Sequence, residues 1–144
     1  TAIPADHTDN KAFEPLLGHG LGYLIKFIQG KQVFTLYWTG DTLATPDVIN
    51  TVKALGEIDL LVPNMGRVGT TGPLGKISMG ASDVITLANT LKVKKVFPIH
   101  HTSYELYLEP ISELSSRAKN QAWGLDILSE GSTLSYSTII KEAG

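Results

Sequence analysis

Apolar positions along the chain follow two periods, and the switches between them set out the expected elements. Residues 1–5 read as a short strand running into the polar loop Asp6-His7-Thr8-Asp9-Asn10. The stretch up to Leu17 reads as irregular, with Pro15 as a breaker, and Gly18-His19-Gly20-Leu21-Gly22 reads as a turn. Tyr23-Leu24-Ile25-Lys26-Phe27-Ile28 has strand character. It connects through Gln29-Gly30-Lys31-Gln32 to a second strand, Val33-Phe34-Thr35-Leu36-Tyr37-Trp38. The period then becomes helical. Thr45 suits an N-cap, Pro46 the first helical position and Asp47 the positive end of the dipole. Val48, Val52 and Leu55 share one face, and Gly56 ends the helix.

The second half repeats the alternation. Asp59-Leu60-Leu61-Val62-Pro63 reads as a buried strand, followed by a glycine-rich loop from Asn64 to about Lys76. Ala81, Val84, Ile85, Ala88 and Leu91 mark a helix, with Ser78 or Ser82 as its expected N-cap. Residues 95–99 form a strand leading to His100, and Pro110 opens a helix with Ile111, Leu114 and Ala118 inward. A closing hairpin is expected from residues 125–128 and 133–137 around Glu130-Gly131. Strands alternating with helices imply crossover units, and hairpins at both ends make the sheet mixed.

Candidate chemistry gathers at strand ends. Gly40-Asp41-Thr42 follows the strand at 33–38, His7 follows the first strand, and His100-His101 follow the strand at 95–99. Each alone has a plain structural reading: a turn aspartate binding its own backbone, or a packed or surface histidine. Together, His7, Asp41 and His100 offer N and O ligands suited to zinc, manganese or iron on one edge of one sheet. His100 is the better ligand of its pair, because successive strand side chains alternate and His101 points elsewhere. His101 is then a neighbour of the site or a substrate contact, and His19 reads as structural or exposed.

The glycine-rich stretches do not support phosphate binding. Gly18 to Gly22 precedes a strand, whereas a dinucleotide fingerprint follows one, and Gly72-Pro73-Leu74-Gly75-Lys76-Ile77-Ser78 misses the phosphate-loop spacing. Arg67 and Lys76 are cations of the long loop, readable as solvated residues or as contacts for an anionic substrate. Tyr104, Tyr107 and Trp123 read as packing residues.

Composition narrows the classes. The 144 residues suffice for one domain with a real core, and 42% hydrophobic with 18% charged residues is a globular balance. A net charge of −2 gives no reason to expect nucleic acid. With no cysteine, disulfides, thiolate ligands and a cysteine nucleophile are excluded. No apolar run approaches the roughly 18 residues of a membrane span. The compartment is open, with the cytoplasm favoured.

The series Tyr37-Trp38-Thr39-Gly40-Asp41-Thr42, then Asp59 to Pro63, then Ser78-Met79-Gly80 opening a helix, then Val96-Phe97-Pro98-Ile99-His100, resembles the second half of the metallo-β-lactamase fold superfamily. Within it, the resemblance is closest to the branch of ascorbate-6-phosphate lactonases and uncharacterised metal-dependent hydrolases. It covers nearly the whole chain, as one domain over residues 1–144. The implied fold class is α/β: half of an αββα sandwich, with a mixed sheet, flanking helices and the N-terminal half absent.

The resemblance further implies a binuclear site holding two divalent metal ions, zinc favoured over manganese or iron. His7 would bind the first metal, Asp41 would bridge both, and His100 would bind the second. A bridging hydroxide would attack an ester, lactone, amide or phosphodiester, with His101 and Arg67 as substrate contacts and Asp41 as the catalytic centre. The family's His-x-His-x-Asp-His motif is missing, and His7, His19, His100 and His101 are all the histidines present. The chain also lacks an initiator methionine and begins almost inside a strand, which reads as a fragment or processed product. The expectation is a hydrolase needing its N-terminal half or another chain for activity, with an exposed inner sheet face that favours oligomers. The alternative is a non-catalytic binding or assembly module that keeps the fold and has lost its metals.

Overall fold

In the computed structural model, which describes residues 1–69 and 75–136, the strands assemble in the order in which they occur in the sequence. β1 (Ala2–Ala5), β2 (Gly20–Gln29) and β3 (Gln32–Trp38) run antiparallel to one another in succession. β4 (Leu60–Val62), β5 (Lys95–Val96) and β6 (Gly124–Leu125) continue the sheet in parallel. A two-residue turn suffices between β2 and β3, while each parallel step needs a crossover helix. These helices are α2 (Pro46–Ala54), α3 (Ala81–Leu91) and α4 (Ile111–Ala118). α3 packs against both α2 and α4, so the three form one layer. The resulting mixed α/β arrangement has the half-sandwich form that the sequence implies.

The core lies between sheet and helices. Ile3, Leu24, Tyr37, Leu61 and Val96 meet Val52, Val84, Leu87 and Leu114 there, all at most 3% exposed. The strand period turns the alternate residues to the opposite face. Ile25 faces Leu36, Phe27 faces Phe34, and Tyr23 stacks on Trp38 with ring centroids 5.9 Å apart. Phe27 is 55% exposed and Ile25 39%, so an apolar band on β2 and β3 stands uncovered.

Local chemistry explains α2. The Thr45 hydroxyl accepts from the Val48 N–H at 3.3 Å and donates to Asp6, tying the helix start to the loop after β1. Several expectations are corrected. Residues 20–22 are strand rather than turn, because they pair antiparallel with Ala5, Pro4 and Ile3 of β1, and a Cβ at Gly22 would sit 2.6 Å from the Thr39 oxygen. Pro15 sits in the first turn of a short helix, α1 (Glu14–Leu17), where its missing N–H has no helical partner to lose. The N-cap of α3 is Gly80, not Ser78 or Ser82. The Asp83 carboxylate accepts from the Gly80 N–H at 2.7 Å and Glu109 accepts from the Ala81 N–H at 2.7 Å.

The strand expected at 95–99 is regular only at Lys95–Val96: Phe97 and Ile99 keep bonding to Leu61 and Pro63, while Pro98 has no N–H to offer on the β6 side. The closing hairpin is absent among the described residues. β6 joins β5 in parallel, residues 133–136 form no strand, and Ser137 lies outside the described residues. Part of the rejected phosphate-loop stretch, residues 72–74, also lies outside them. No described helix is long and apolar enough to cross a membrane.

Candidate metal centre

Asp41 is presented by a turn whose flanks are fixed. Gly40 has φ +59°, and a Cβ there would lie 2.3 Å from the Leu21 carbonyl oxygen, so conformation and space both require glycine. Thr39 and Thr42 on either side are fully buried. The Thr39 hydroxyl donates to the Gly40 carbonyl at 2.8 Å and accepts from the Asn64 N–H at 3.0 Å. The Thr42 hydroxyl accepts from the Asp6 N–H at 2.9 Å and donates to the Leu43 carbonyl at 3.1 Å. Between these anchors the Asp41 side chain stays 41% exposed.

His100 arrives on the continuation of β5. The Phe97 N–H donates to Leu61 and the Ile99 N–H to Pro63, while the Met65 N–H donates back to Ile99. This zipper brings His100 level with Asn64 and Met65, next to the end of β3. His100 has φ +57°, a left-handed conformation uncommon for a histidine and of the kind found at functional sites. Its Nδ1 lies 3.2 Å from the Met65 carbonyl oxygen, 3.1 Å from the Tyr107 hydroxyl and 3.9 Å from Asp41 Oδ1. In the tautomer with the proton on Nδ1, that nitrogen donates to the Met65 carbonyl, which can only accept, and Nε2 has a lone pair for a cation. Burial raises the Tyr107 phenol above its ordinary range against a lowering hydrogen bond with Ser103, so it stays protonated at neutral pH. Tyr107 packs so close to Gly66 that a Cβ there would lie 2.5 Å from its ring.

The structure therefore brings Asp41 and His100 together. Among the described residues no group of three or more His, Asp or Glu side chains comes together to hold a metal. His7 lies in the loop tied to Thr42 and Leu43, lining a cleft of about 340 Å³ with Asp6, Asp9, Lys11 and Glu14. His19 is exposed just before β2. His101 lines a cleft of about 520 Å³ with Thr102 and Glu130, and its buried Nδ1 has no hydrogen-bond partner among the described residues. Desolvation lowers its pKa, opposed by the nearby Glu130 charge, so it is neutral at pH 7. Arg67 pairs with Glu109 at 3.1 Å, and Lys76 pairs with Asp83.

Sequence reasoning missed Asn64 and Tyr107. Asn64, only 7% exposed, donates from Nδ2 to Asp41 Oδ1 at 2.9 Å and accepts at Oδ1 from the Trp38 indole at 2.9 Å. The parallel register setting Trp38 beside Val62 would have placed Asn64 near Gly40. Tyr107 left no comparable signal.

A family model described as a β-lactamase superfamily domain matches residues 1–101, most of the chain. The chain belongs to the metallo-β-lactamase fold superfamily. No curated protein matches it. Among solved structures, it is similar to the isothiocyanate hydrolase from Delia radicum gut bacteria, with a TM-score of 0.79 and 21% identity, covering 94% of this chain and 53% of that one. A metallo hydrolase from the archaeon Ignicoccus hospitalis gives a TM-score of 0.62 at 14% identity, covering 96% and 53%. The metallo-β-lactamase fold protein YhfI from Bacillus subtilis gives 0.58 at 14% identity, covering 91% and 47%. At these identities the likeness establishes the fold. This superfamily member spans about half the length of the structures it matches.

In kind, the donors fit a divalent cation of the zinc, manganese or iron group. Asp41 Oδ2 and His100 Nε2 make no hydrogen bond with a described residue, since the bonds of these side chains run through Oδ1 and Nδ1. In number they are two, where a catalytic zinc site uses three protein ligands.

Proposed function

We propose that this chain contributes part of the active site of a metal-dependent hydrolase. The observation that carries the reading is Asp41 Oδ1 lying 3.9 Å from His100 Nδ1, each side chain held from behind by part-buried hydrogen bonds. Asp41 and His100 would hold two divalent cations, zinc favoured, jointly with ligands from a further segment or another chain. His7 is the proposed additional ligand from this chain, since its loop is laced to the residues following Asp41. Bound cations would supply a nucleophile from water at neutral pH and neutralise charge building on the attacked group.

The chain's own residues orient and bind. Met65 and Tyr107 hold the His100 ring, and Asn64 holds one oxygen of Asp41. His101, uncharged at pH 7, would act as a hydrogen-bond partner for the substrate, and Arg67 would attract an anionic one from its place beside Glu109. Supporting a completing partner, the uncovered band on β2 and β3 includes Trp38, whose indole reaches toward the same site. A second apolar sheet laid on that band would bury it and could deliver the missing ligands.

The test is substitution Asp41→Ala in the completed protein, assayed with esters, lactones, amides and phosphodiesters, plus isothiocyanates, the class named for one structural neighbour. Metal-dependent hydrolysis should disappear, and full retention would refute the reading. A second reading, a binding or assembly module without metals, is favoured by the two-donor count. Tight stoichiometric metal in the purified chain, measured by mass spectrometry, would count against it.

A further inference from the structure

Asn64 is a buried amide with both ends of its side chain engaged. An indole N–H can only donate, so the Asn64 atom facing Trp38 Nε1 at 2.9 Å is the carbonyl oxygen. That assignment turns the amide N–H group toward Asp41 Oδ1, also at 2.9 Å. A flipped amide would set N–H against N–H at Trp38 and oxygen against carboxylate at Asp41, so the arrangement has one orientation. Its base is held as well, because the Asn64 N–H donates to the Thr39 hydroxyl at 3.0 Å and Met65 joins the strand of Ile99. Trp38 is in turn steadied by its stack on Tyr23.

We propose that Trp38 and Asn64 are positioning residues for Asp41: the indole locks the amide, the amide holds Oδ1, and Oδ2 is left as the oxygen that takes a divalent cation. The last step rests on the metal-dependent reading above, whereas the lock on the carboxylate does not. Neither residue touches the reacting atoms. Their effect is to remove the rotational freedom of an exposed aspartate, as hydrogen bonds behind a ligand commonly do.

The experiment uses the 144-residue chain and zinc alone as the probe. Two tryptophans give two indole N–H resonances, assigned by Trp38→Phe. Trp123, whose indole donates to Asn89 at 2.9 Å, serves as an internal control for folding. In Asn64→Leu the Trp38 resonance should move upfield while that of Trp123 stays in place. In Asp41→Leu the side-chain amide resonances of Asn64 should shift. Zinc titration by calorimetry should show affinity about 10-fold or more weaker in Asn64→Leu, with Trp38→Phe weakened less. If Asn64→Leu does not fold, Trp38→Phe keeps the aromatic stack and still provides the zinc comparison.

An unmoved Trp38 resonance in Asn64→Leu would overturn the proposal, as would a moved one with zinc affinity equal to the parent's. Responding resonances in a parent that binds no zinc would uphold the lock, and zinc affinity of Asn64→Leu equal to the parent's in the completed protein would then overturn the cation role.

Discussion

Gly30 and Gly40 share φ +59°, yet they differ in what surrounds them, so they form a matched pair. A Cβ at Gly30 would meet nothing within 4 Å, whereas one at Gly40 would lie 2.3 Å from the Leu21 oxygen and 3.1 Å from its carbon. Gly30→Ala should therefore show only the backbone term, about 1 kcal/mol for an L-residue held in the left-handed region. Gly40→Ala carries the same term plus a clash that β2 must relieve by moving roughly 1 Å, an overpacking cost of about 2 kcal/mol. The sum is about 3 kcal/mol. With a urea m-value of about 2 kcal/mol/M, the midpoint should fall by about 0.5 M in the first variant and about 1.5 M in the second. Circular dichroism melts in urea provide the assay, with unchanged m-values as the check that the denatured state is comparable. Equal midpoints in the two variants would refute the close approach of β2 to the Asp41 turn.

Two further substitutions test the frame around the site. Thr45→Ala removes the α2 cap and the partner of Asp6, and should lower stability by about 1–2 kcal/mol in the same melts, while Thr45→Ser should recover most of it. Lys94 has a raised pKa, chiefly through its hydrogen bond to Asp59, so the folded state keeps this proton longer than the unfolded one. Its contribution is fully present below pH 10.5 and is lost as pH rises through the folded value. Lys94→Met should then be less stable than the parent by about 0.5 kcal/mol at pH 8 and indistinguishable from it at strongly alkaline pH. A gap that persists there would contradict the pairing.

Elements whose signals are local were legible in the sequence. Thr45-Pro46-Asp47 encodes the start of α2 within three residues, and the apolar spacing of α3 fixes its span. Features decided by distant partners were not. The cap of α3 is completed by Glu109, far along the chain, so the nearby serines misled. Gly20 and Gly22 look like turn residues until β1 is laid beside them. The closing hairpin does not form: β6 joins β5, with the Asp126 N–H donating to Val96, and residues 133–136 form no strand. At the candidate centre, Asp41 and His100 were legible because each ends an apolar strand. Asn64 was hidden inside a loop reading, and Tyr107 inside a packing one, since both act through contacts set only by the sheet register and the chain's return after His100.

Because the spatial order of the strands follows the chain, no strand is inserted between two others formed earlier. The sheet can be assembled by adding neighbours one at a time, and it can open the same way from β1 or β6 without parting the middle. Amide hydrogens on β3 and β4 should accordingly be the last to exchange with solvent, and those at the two borders the first. Asp41 and Asn64 follow directly from those two central strands. The Asp41–Asn64 contact thus belongs to the part expected to open most slowly, while opening at the β1 border would release the Asp6 anchor on Thr42.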